Sequence, residues 1–547
     1  MQLVNGAAQR SSDRYCHKSL FQLLLWRKIF RSQWPFDAAD FLPKTMIRFL
    51  RLNKTCLVGF VAFVSLLSRR VVDPDYFWHL KTGEYIVTHG ALPAGDIFSF
   101  TRAGQPWVLH EWLFEALLYG VWTAFGETGV AVLRASLCVG ALGLVFAAAR
   151  RFGASAAAVW IPMGFGAVAF SMGAAPRPQL LTYACFALTL FVLLGFKYRP
   201  AASTRPLFLL PPVMVVWVNA HAAYAVGIAL LLLFAACEWL LWANRPVRDP
   251  AHKRRLLHLT RVAVLTVLAS LANPGLFERW LYPFQVIGMA ANQFIQEWQS
   301  SDFHDIGGKA YLALLLLFLV AQAFAARKPD LTELALPLFF AVQGCIAARH
   351  VPLAVLVLVP FTALTLSRGV LAGLETCACN SKPGRWYALR RGAGKELGEG
   401  EFVLNWLVAC AVAVCVPAWF QARQPDLSAR GGQALPKGAA DYVEAQGMAG
   451  KLFNDYTDGG YLIYRLAPRI RVAVDGRADL YGDRFIQEYL YVYQGGADWQ
   501  ARFERLGVDL ALLPLDAPIR QLLLASGRFR EVYRDRHFSV LRRGTPS

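Results

Sequence analysis

Long apolar segments alternate with short polar ones between residues 55 and 420. Most are long enough to cross the hydrocarbon core of a bilayer as a helix, which takes about 20 residues. A further apolar segment, 110–125 (HEWLFEALLYGVWTAF), also carries acidic side chains. The pattern predicts a multi-pass α-helical membrane protein whose spans lie near residues 55–72, 129–149, 154–174, 179–196, 206–222, 223–243, 259–273, 310–326, 332–348, 350–371 and 402–420.

Composition supports this interpretation, because 56% of the 547 residues are hydrophobic and only 17% are charged. A soluble chain of this length could not bury so much apolar surface, and a disordered or collagen-like chain would contain far less of it. The net charge of +19 comes from basic residues between apolar segments, without the basic and aromatic stripe typical of nucleic-acid binding. No cysteine follows residue 421, so no disulfide framework or zinc site is expected in the tail.

The basic residues also predict the topology. They cluster at every second boundary between apolar segments, near 150–151, 197–205, 245–255, 327–328 and 382–395. Positive loops stay in the cytoplasm, so these clusters should face inward. The basic N-terminus can also be cytoplasmic only if residues 110–125 do not cross the membrane but lie on its outer surface as an amphipathic helix. We therefore expect about eleven spans in a bacterial inner membrane, with a cytoplasmic N-terminus and a periplasmic C-terminal domain.

Three regions follow from this topology. Residues 1–54 form a basic cytoplasmic segment, although translation starting at Met46 is an alternative that we favour. Residues 55–421 form the transmembrane domain, with a long first outer loop at 70–128. Residues 422–547 form a small α/β domain, since strand-like runs at 451–453, 470–474, 508–513 and 538–542 alternate with helical stretches near 436–447 and 498–506.

The segment VVDPDYFWH (71–79) is the most informative candidate for chemistry. Pro74 keeps Asp73 extended and favours a helix start at Asp75. Two carboxylates at this spacing can face a divalent cation or an acceptor hydroxyl. The alternative is that Asp75 caps a helix and the following aromatic residues form an interface belt, with His79 among them.

Further polar residues fall at the predicted outer ends of spans. Each has a structural alternative: a helix-terminal charge for His110, Glu111, Arg177, Arg349 and His350, and an inter-helix hydrogen bond for Asn219 and His221. In the tail, NDYTDGGY (454–461) and VDGRADLY (474–481) contain glycines that suit turns. Structural roles are favoured there, and acceptor recognition stays open.

The order of these elements over about residues 46–370 resembles the GT-C superfamily of integral-membrane glycosyltransferases. The similarity is greatest to the branch of protein O-mannosyltransferases and aminoarabinose lipid A transferases. It is carried by Pro74-Asp75, the predicted helix to Gly90, Pro93, the entry 105–107 to His110-Glu111, the turn 150–153 and the turn 176–179. Two positions depart from the pattern: Tyr76 stands where many members have a second acid, and 175–179 lacks a carboxylate.

The resemblance implies an inverting transfer of sugar from a polyprenyl-phosphate donor to an envelope glycan, lipid or protein. By this resemblance Asp75 would be the general base, and Asp73 would support it or help to bind a divalent cation. Arg349, His350 and Arg177 would meet the donor phosphate, while His79, His110, Glu111, Asn219 and His221 would line the substrate site. A transporter or flippase and a non-catalytic envelope scaffold are the rival functions. Transport is less favoured, because the sequence shows no inverted repeat and the predicted spans contain few charges.

Overall fold

The computed structural model describes residues 73–369 and 435–544 of the chain. The predicted segment 1–54, the spans 55–72 and 402–420, and the basic loop 382–395 lie outside these described residues. The fold below therefore concerns nine of the predicted spans, the first outer loop and most of the C-terminal region.

Eleven α-helices occupy residues 73–369. In chain order they are α1 Asp75–His89, α2 Trp112–Arg151, α3 Ala156–Phe170, α4 Gln179–Tyr198, α5 Leu210–Ala220, α6 Tyr224–Ala243, α7 Pro250–Ala269, α8 Phe277–Ile287, α9 Ile306–Ala323, α10 Leu331–Ile346 and α11 Val351–Arg368. Short 3₁₀ turns lie at Ser171–Gly173, Arg205–Leu209, Ala290–Phe294, Gln296–Trp298 and Ala348–His350.

Six helical segments within the described residues are long and apolar enough to cross a membrane, which makes this a multi-pass helical membrane protein. They are Trp112–Arg151, Ala156–Gly173, Gln179–Tyr198, Tyr224–Ala243, Ile306–Ala323 and Ala348–Arg368. Two shorter apolar helical segments, Arg205–Ala220 and Leu331–Ile346, match further predicted spans. Residues 259–269 of the predicted span 259–273 belong to α7, which is not among the six and whose first turns contain the basic run at 253–255. The total of eleven spans stays a prediction.

Two helices are central to the arrangement of the helical bundle. α11 is its central helix, because every residue from 351 to 364 is buried. α2 contains the predicted surface helix 110–125, but it begins at Trp112 and continues into the next span. The backbone breaks at Gly126, where φ is 59° and ψ is −154°. A positive φ is open to glycine at little cost, so Gly126 separates the predicted outer part of α2 from its predicted spanning part.

Residues 435–544 form a five-stranded sheet in the order β2-β1-β3-β5-β4. The strands are β1 Gly450–Asn454, β2 Ile470–Val472, β3 Leu510–Pro514, β4 Phe529–Arg534 and β5 Phe538–Arg543. β1 pairs in parallel with β2 and β3, whereas β5 is antiparallel to β3 and β4. The accompanying helices are α12 Lys437–Ala445, α13 Gly459–Leu466, α14 Ala478–Tyr493, α15 Trp499–Arg505 and α16 Pro518–Ala525. Four strands coincide with predicted runs, and β4 was not predicted.

Part of the predicted first outer loop is attached directly to this sheet. The backbone N–H of Phe100 donates to the Val472 carbonyl (3.1 Å), and the Val472 N–H donates to the Phe98 carbonyl (3.3 Å). The Thr101 hydroxyl donates to the Ala473 carbonyl (2.6 Å). Residues 98–101 therefore extend the free edge of β2. This pairing brings the loop before α2 and the C-terminal region together beside α1.

Candidate functional site

The two predicted carboxylates lie at the start of α1. Pro74 occupies the N-cap position, and Asp75 is the first helical residue. The backbone N–H of Asp75 donates to Asp73 Oδ1 (3.0 Å), which satisfies one of the free donors at the helix start. Asp73 is buried, whereas the Asp75 side chain keeps 24% of its surface exposed. Asp73 is therefore held in place, and Asp75 remains open to a reactant.

Arg177, in the turn between α3 and α4, binds both carboxylates. Its Nη2 lies 2.7 Å from Asp73 Oδ1 and 3.0 Å from Asp75 Oδ2, and its Nε donates to the other Asp73 oxygen. Its Nη1 lies 3.6 Å from Glu297 Oε1, which is 3.7 Å from Arg349 Nη1. The Arg349 guanidinium also lies over the Trp298 ring, 4.3 Å from its centre. Three carboxylates and two guanidinium groups thus form one continuous chain of charges.

This environment changes the acidity of Asp75. Burial raises the pKa of Asp75 to about 6, and the carboxylates of Asp73, Glu297 and Asp475 add to the rise while Arg177 opposes it. Burial would also raise the pKa of Glu297, but Arg349 and Arg177 together hold it below its usual range. Asp75 therefore combines a raised pKa near neutrality with solvent access.

Residues of the C-terminal region 435–544 close one side of this site. A Cβ atom at Gly476 would collide with the Asp75 carboxylate, and one at Gly460 would collide with the Pro74 carbonyl. Gly460 lies at the start of α13, and Gly476 follows β2. Both glycines belong to the tail motifs singled out in the sequence. Close approach of the backbone to Asp75 is thus the physical reason for glycine at position 476.

A second cluster begins one turn further along α1 with His79. Its Nδ1 lies 3.0 Å from Glu115 Oε1 and 3.5 Å from Glu111 Oε2. Glu111 Oε1 lies 3.1 Å from His110 Nε2 and 3.7 Å from His221 Nε2. The structure therefore brings together four predicted residues, and it adds Glu115, which the sequence analysis did not select.

Burial sets the protonation of this cluster. It lowers the pKa of His79 to about 3 and that of His221 to about 4, with the Glu111 carboxylate opposing both changes. Burial would lower the pKa of His110 as well, but Glu111, Asp479 and the hydrogen bond with the Val108 carbonyl together raise it above its usual value. In return, His110 and His79 hold the pKa of Glu111 far below its usual range against the effect of burial. At neutral pH, His79 and His221 are uncharged and Glu111 is ionised.

His79, Glu111 and Glu115 also fit a divalent cation. One atom from each, an imidazole nitrogen and two carboxylate oxygens, lies within 4.8 Å of the others. Nitrogen and carboxylate donors suit Zn²⁺ or Mn²⁺. Glu115 Oε2 is buried and has no hydrogen-bond partner among the described residues, so it has a lone pair to offer.

The remaining predicted residues are placed differently. The Asn219 side chain accepts from Trp112 Nε1 (2.9 Å) and donates to the carbonyls of Val215 and Ala272 (2.8 Å each). These contacts tie α5 to neighbouring elements, which favours its structural alternative. His350 lies beside Trp298 with ring centres 6.2 Å apart. Their assignment to a substrate site stays a prediction.

A buried ion network escaped the sequence analysis. Arg477 donates to both oxygens of Asp475 (2.7 Å each) and to Asp96 in the first outer loop (2.8 Å). The Tyr481 hydroxyl donates to Asp475 (2.6 Å). All four side chains are buried. The charged residues within VDGRADLY (474–481) were the available signal for this network. Charged residues are seldom buried unless they are paired, so charges beside a buried strand indicate ion pairs.

The archaeal oligosaccharyltransferase AglB from Archaeoglobus fulgidus, in complex with an inhibitory peptide and a dolichol-phosphate, has a similar structure. The TM-score is 0.51 at 12% sequence identity, and the match covers 84% of this chain and 69% of that one. This chain has the GT-C fold. The resemblance predicted from the sequence is thus confirmed at the level of the fold.

Two further solved structures show weaker likeness to this GT-C chain. ArnT from Cupriavidus metallidurans bound to undecaprenyl phosphate has a TM-score of 0.48 at 17% identity, covering 89% of this chain and 97% of that one. The arabinofuranosyltransferase AftD from Mycobacteria has a TM-score of 0.46 at 14% identity, covering 90% and 42%. No protein-family model and no curated protein sequence matches the chain.

Proposed function

We propose that this chain is a membrane glycosyltransferase that moves a sugar from a polyprenyl-phosphate carrier to an acceptor hydroxyl. The observation that carries the proposal is Asp75, a partly exposed carboxylate with a pKa raised to about 6 and an Arg177 partner at 3.0 Å. Such a group is ionised at neutral pH and is a better base than an ordinary aspartate. The GT-C fold, shared with a protein that binds dolichol-phosphate, supports the proposal.

In the proposed reaction Asp75 takes the proton of the acceptor hydroxyl. The freed oxygen attacks the anomeric carbon, a new C–O bond forms, and the bond between that carbon and the phosphate oxygen breaks. The electron pair of the broken bond stays on the polyprenyl phosphate. Attack opposite the leaving group inverts the anomeric centre, which needs one carboxylate on the acceptor side. Asp73 positions Asp75 and Arg177 through the contacts described above.

Arg349 is the better candidate for the leaving phosphate. Arg177 is already engaged by three carboxylates at distances up to 3.6 Å. Arg349 contacts Glu297 more loosely, at 3.7 Å, and 27% of its side chain is exposed. A partly free guanidinium stabilises phosphate through two parallel hydrogen bonds. His350, the next residue in the sequence, is the second candidate donor to the leaving phosphate.

A divalent cation is proposed only as an optional component. His79, Glu111 and Glu115 would hold it, and when bound it would add positive charge beside the donor phosphate. His79 lies one turn from Asp75 on α1, so the two clusters can act on one bound substrate. His221 and His110, which both lie beside Glu111, would line the same substrate site.

We also propose the orientation predicted from the basic loops, with a periplasmic site in a bacterial inner membrane. The division into a cytoplasmic segment 1–54, a transmembrane domain 55–421 and an outer domain 422–547 belongs to this proposal. Support comes from the contacts between the first outer loop and residues 435–544, which require both to lie on one side of the membrane. The acceptor is an envelope glycan, lipid or protein.

The substitution Asp75→Asn tests the function. It keeps the shape of the side chain but removes the base, so transfer in membranes should fall about 10²–10⁴-fold at matched protein level. Asp305→Asn is the matched control. Asp305 also lies at a helix start, where it accepts from the Gly308 N–H, and asparagine replaces it well as a cap.

Donor substrates in this experiment are radiolabelled polyprenyl-phosphate sugars, assayed with extracted envelope acceptors. Near-normal transfer by Asp75→Asn would remove the proposed base. Loss of transfer in both variants would indicate a general defect in folding. If the wild-type protein moves labelled lipid across vesicles without transferring sugar, the transporter alternative would replace this proposal.

A further inference from the structure

A separate cavity of about 270 Å³ lies between α1, the outer part of α2 and α13. Its six lining residues are half-buried: Lys81, Glu84, Tyr119, Trp122, Tyr464 and Arg465. Lys81 and Glu84 follow Asp75 by six and nine residues, which places them about 240° and 180° around the helix from it. The cavity therefore faces away from the candidate catalytic site. We infer that it binds a neutral pyranose unit of a glycan.

The aromatic rings supply a surface that suits a sugar ring. Tyr119 and Trp122 are stacked with their ring planes only 22° apart and their centres 6.3 Å apart, so they form an aromatic platform of two nearly parallel rings. The Tyr464 ring stands at 85° to Trp122, with centres 6.2 Å apart, and makes a side wall. Aromatic faces carry negative charge density and attract the weakly positive C–H bonds on the apolar face of a pyranose.

The polar side chains add hydrogen-bonding groups at the rim. Lys81 Nζ lies 2.8 Å from Glu84 Oε2, so a donor and an acceptor stand side by side. Arg465 provides further N–H donors on the opposite wall. A sugar hydroxyl both donates and accepts, and adjacent hydroxyl groups can therefore use such a pair. The volume is close to the lower end of small-molecule pockets, roughly 300 Å³, which fits a single sugar ring.

The charges argue against an anionic lipid headgroup as the occupant. Arg465 is already bound by Asp441 (2.6 Å) and Glu444 (2.9 Å), and Lys81 is bound by Glu84. Two cations thus meet three carboxylates within this group. A phosphate would have to displace a carboxylate or lie beside one, which costs energy through like-charge repulsion. A neutral polyol meets no such penalty.

The test is binding of trisaccharides to the full-length chain in phosphatidylcholine nanodiscs, which avoids detergents with sugar headgroups. Maltotriose, cellotriose and mannotriose are titrated, and transfer of magnetisation from protein to saccharide is measured by NMR. Saturable binding of at least one of them is expected. Trp122→Ala should weaken it about tenfold or more, because the platform loses its larger ring. Trp122→Phe should recover part of the affinity.

Leu117→Ala is the matched control, since Leu117 lies on the same helix, is 40% exposed and does not line the cavity. Glu84→Ala should weaken binding severalfold without removing an aromatic ring, which covers the case that Trp122→Ala does not fold. The inference is overturned if none of the three saccharides binds saturably, or if both Trp122→Ala and Glu84→Ala bind like the wild type. It is also overturned if binding is lost when phosphatidylglycerol is added, since the cavity is then a headgroup site. None of these outcomes depends on glycosyl transfer.

Discussion

Replacing Arg177 by glutamine should move the pH dependence of sugar transfer to higher pH. In the proposed reaction the ionised form of Asp75 is active, so the rate rises with pH through the pKa of Asp75, which is about 6. Arg177 opposes the rise of that pKa from a distance of 3.0 Å. Without it, Asp73 and Glu297 repel a charge on Asp75 with less compensation.

The magnitude follows from the geometry. Two unit charges at this distance interact by about 5.5 kcal/mol at an effective dielectric constant of about 20, which is an upper limit near four pKa units. Reorganised water and the partial exposure of Asp75 reduce it, and a single opposite charge usually moves a carboxyl pKa by about one to three units. The midpoint should therefore rise to between about 7 and 9. At neutral pH the rate should fall about twofold to a hundredfold, and higher pH should restore it.

The assay measures initial rates of transfer across pH values from about 5 to about 9.5, with saturating donor and membranes matched for protein content. Arg177→Lys keeps the charge and should shift the midpoint less than Arg177→Gln. Arg349→Gln is the matched control for the midpoint alone: it can lower the rate through the donor phosphate, but the midpoint should stay near that of the wild type because Arg349 contacts Glu297 rather than Asp75. An unmoved midpoint with a lower plateau would refute the reasoning. Arg177 would then act on the substrate and not on the acidity of Asp75.

Two further predictions concern the surroundings of Asp75. Gly476→Ala should lower transfer at least tenfold with little change in thermal unfolding, because its Cβ would displace the Asp75 carboxylate. Gly544→Ala is the control and should leave the rate unchanged, because its Cβ would lie 3.5 Å from the nearest atom, the Arg528 carbonyl oxygen. Equal rates in the two variants would contradict this prediction. His79→Ala should reduce the zinc or manganese retained by the purified chain, measured by elemental analysis, whereas the exposed His89→Ala on the same helix should not; equal metal content in both would remove the cation site.

Local signals predicted the start of α1 well. Pro74 restricts the backbone before it, and the acid at its first turn suits the helix N-terminus. The turn with Arg177 was also selected from the sequence, as a basic residue at the predicted outer end of a span. Its pairing with three carboxylates could not be predicted, because Glu297 lies 120 residues away and Asp73 lies 104 residues away. Such pairs depend on how spans pack, and periodicity does not encode that.

Glu115 also shows that contacts between helices could not be predicted from the sequence. It lies four residues after Glu111 and thus on the same face of α2, which the sequence could have revealed. Its contact with His79 depends on the close crossing of α1 and α2 at Gly83, where a Cβ would collide with the Glu115 carbonyl. Strand β4 was missed for another reason. It is an edge strand with Arg530, Glu531 and Arg534, and charges on edge strands hide the alternation that marks a buried strand.

The C-terminal region 435–544 is a structural part of this site. Arg477 is buried between Asp475 of the tail and Asp96 of the first outer loop, and residues 98–101 continue the edge of β2. Separating the two segments would leave buried charges unpaired, and breaking one such pair typically costs about 3–5 kcal/mol. The backbone at Gly476, one residue before Arg477, is also what packs against Asp75. The acidity of the candidate base is therefore set jointly by residues about 400 positions apart, and the ion network fixes their approach.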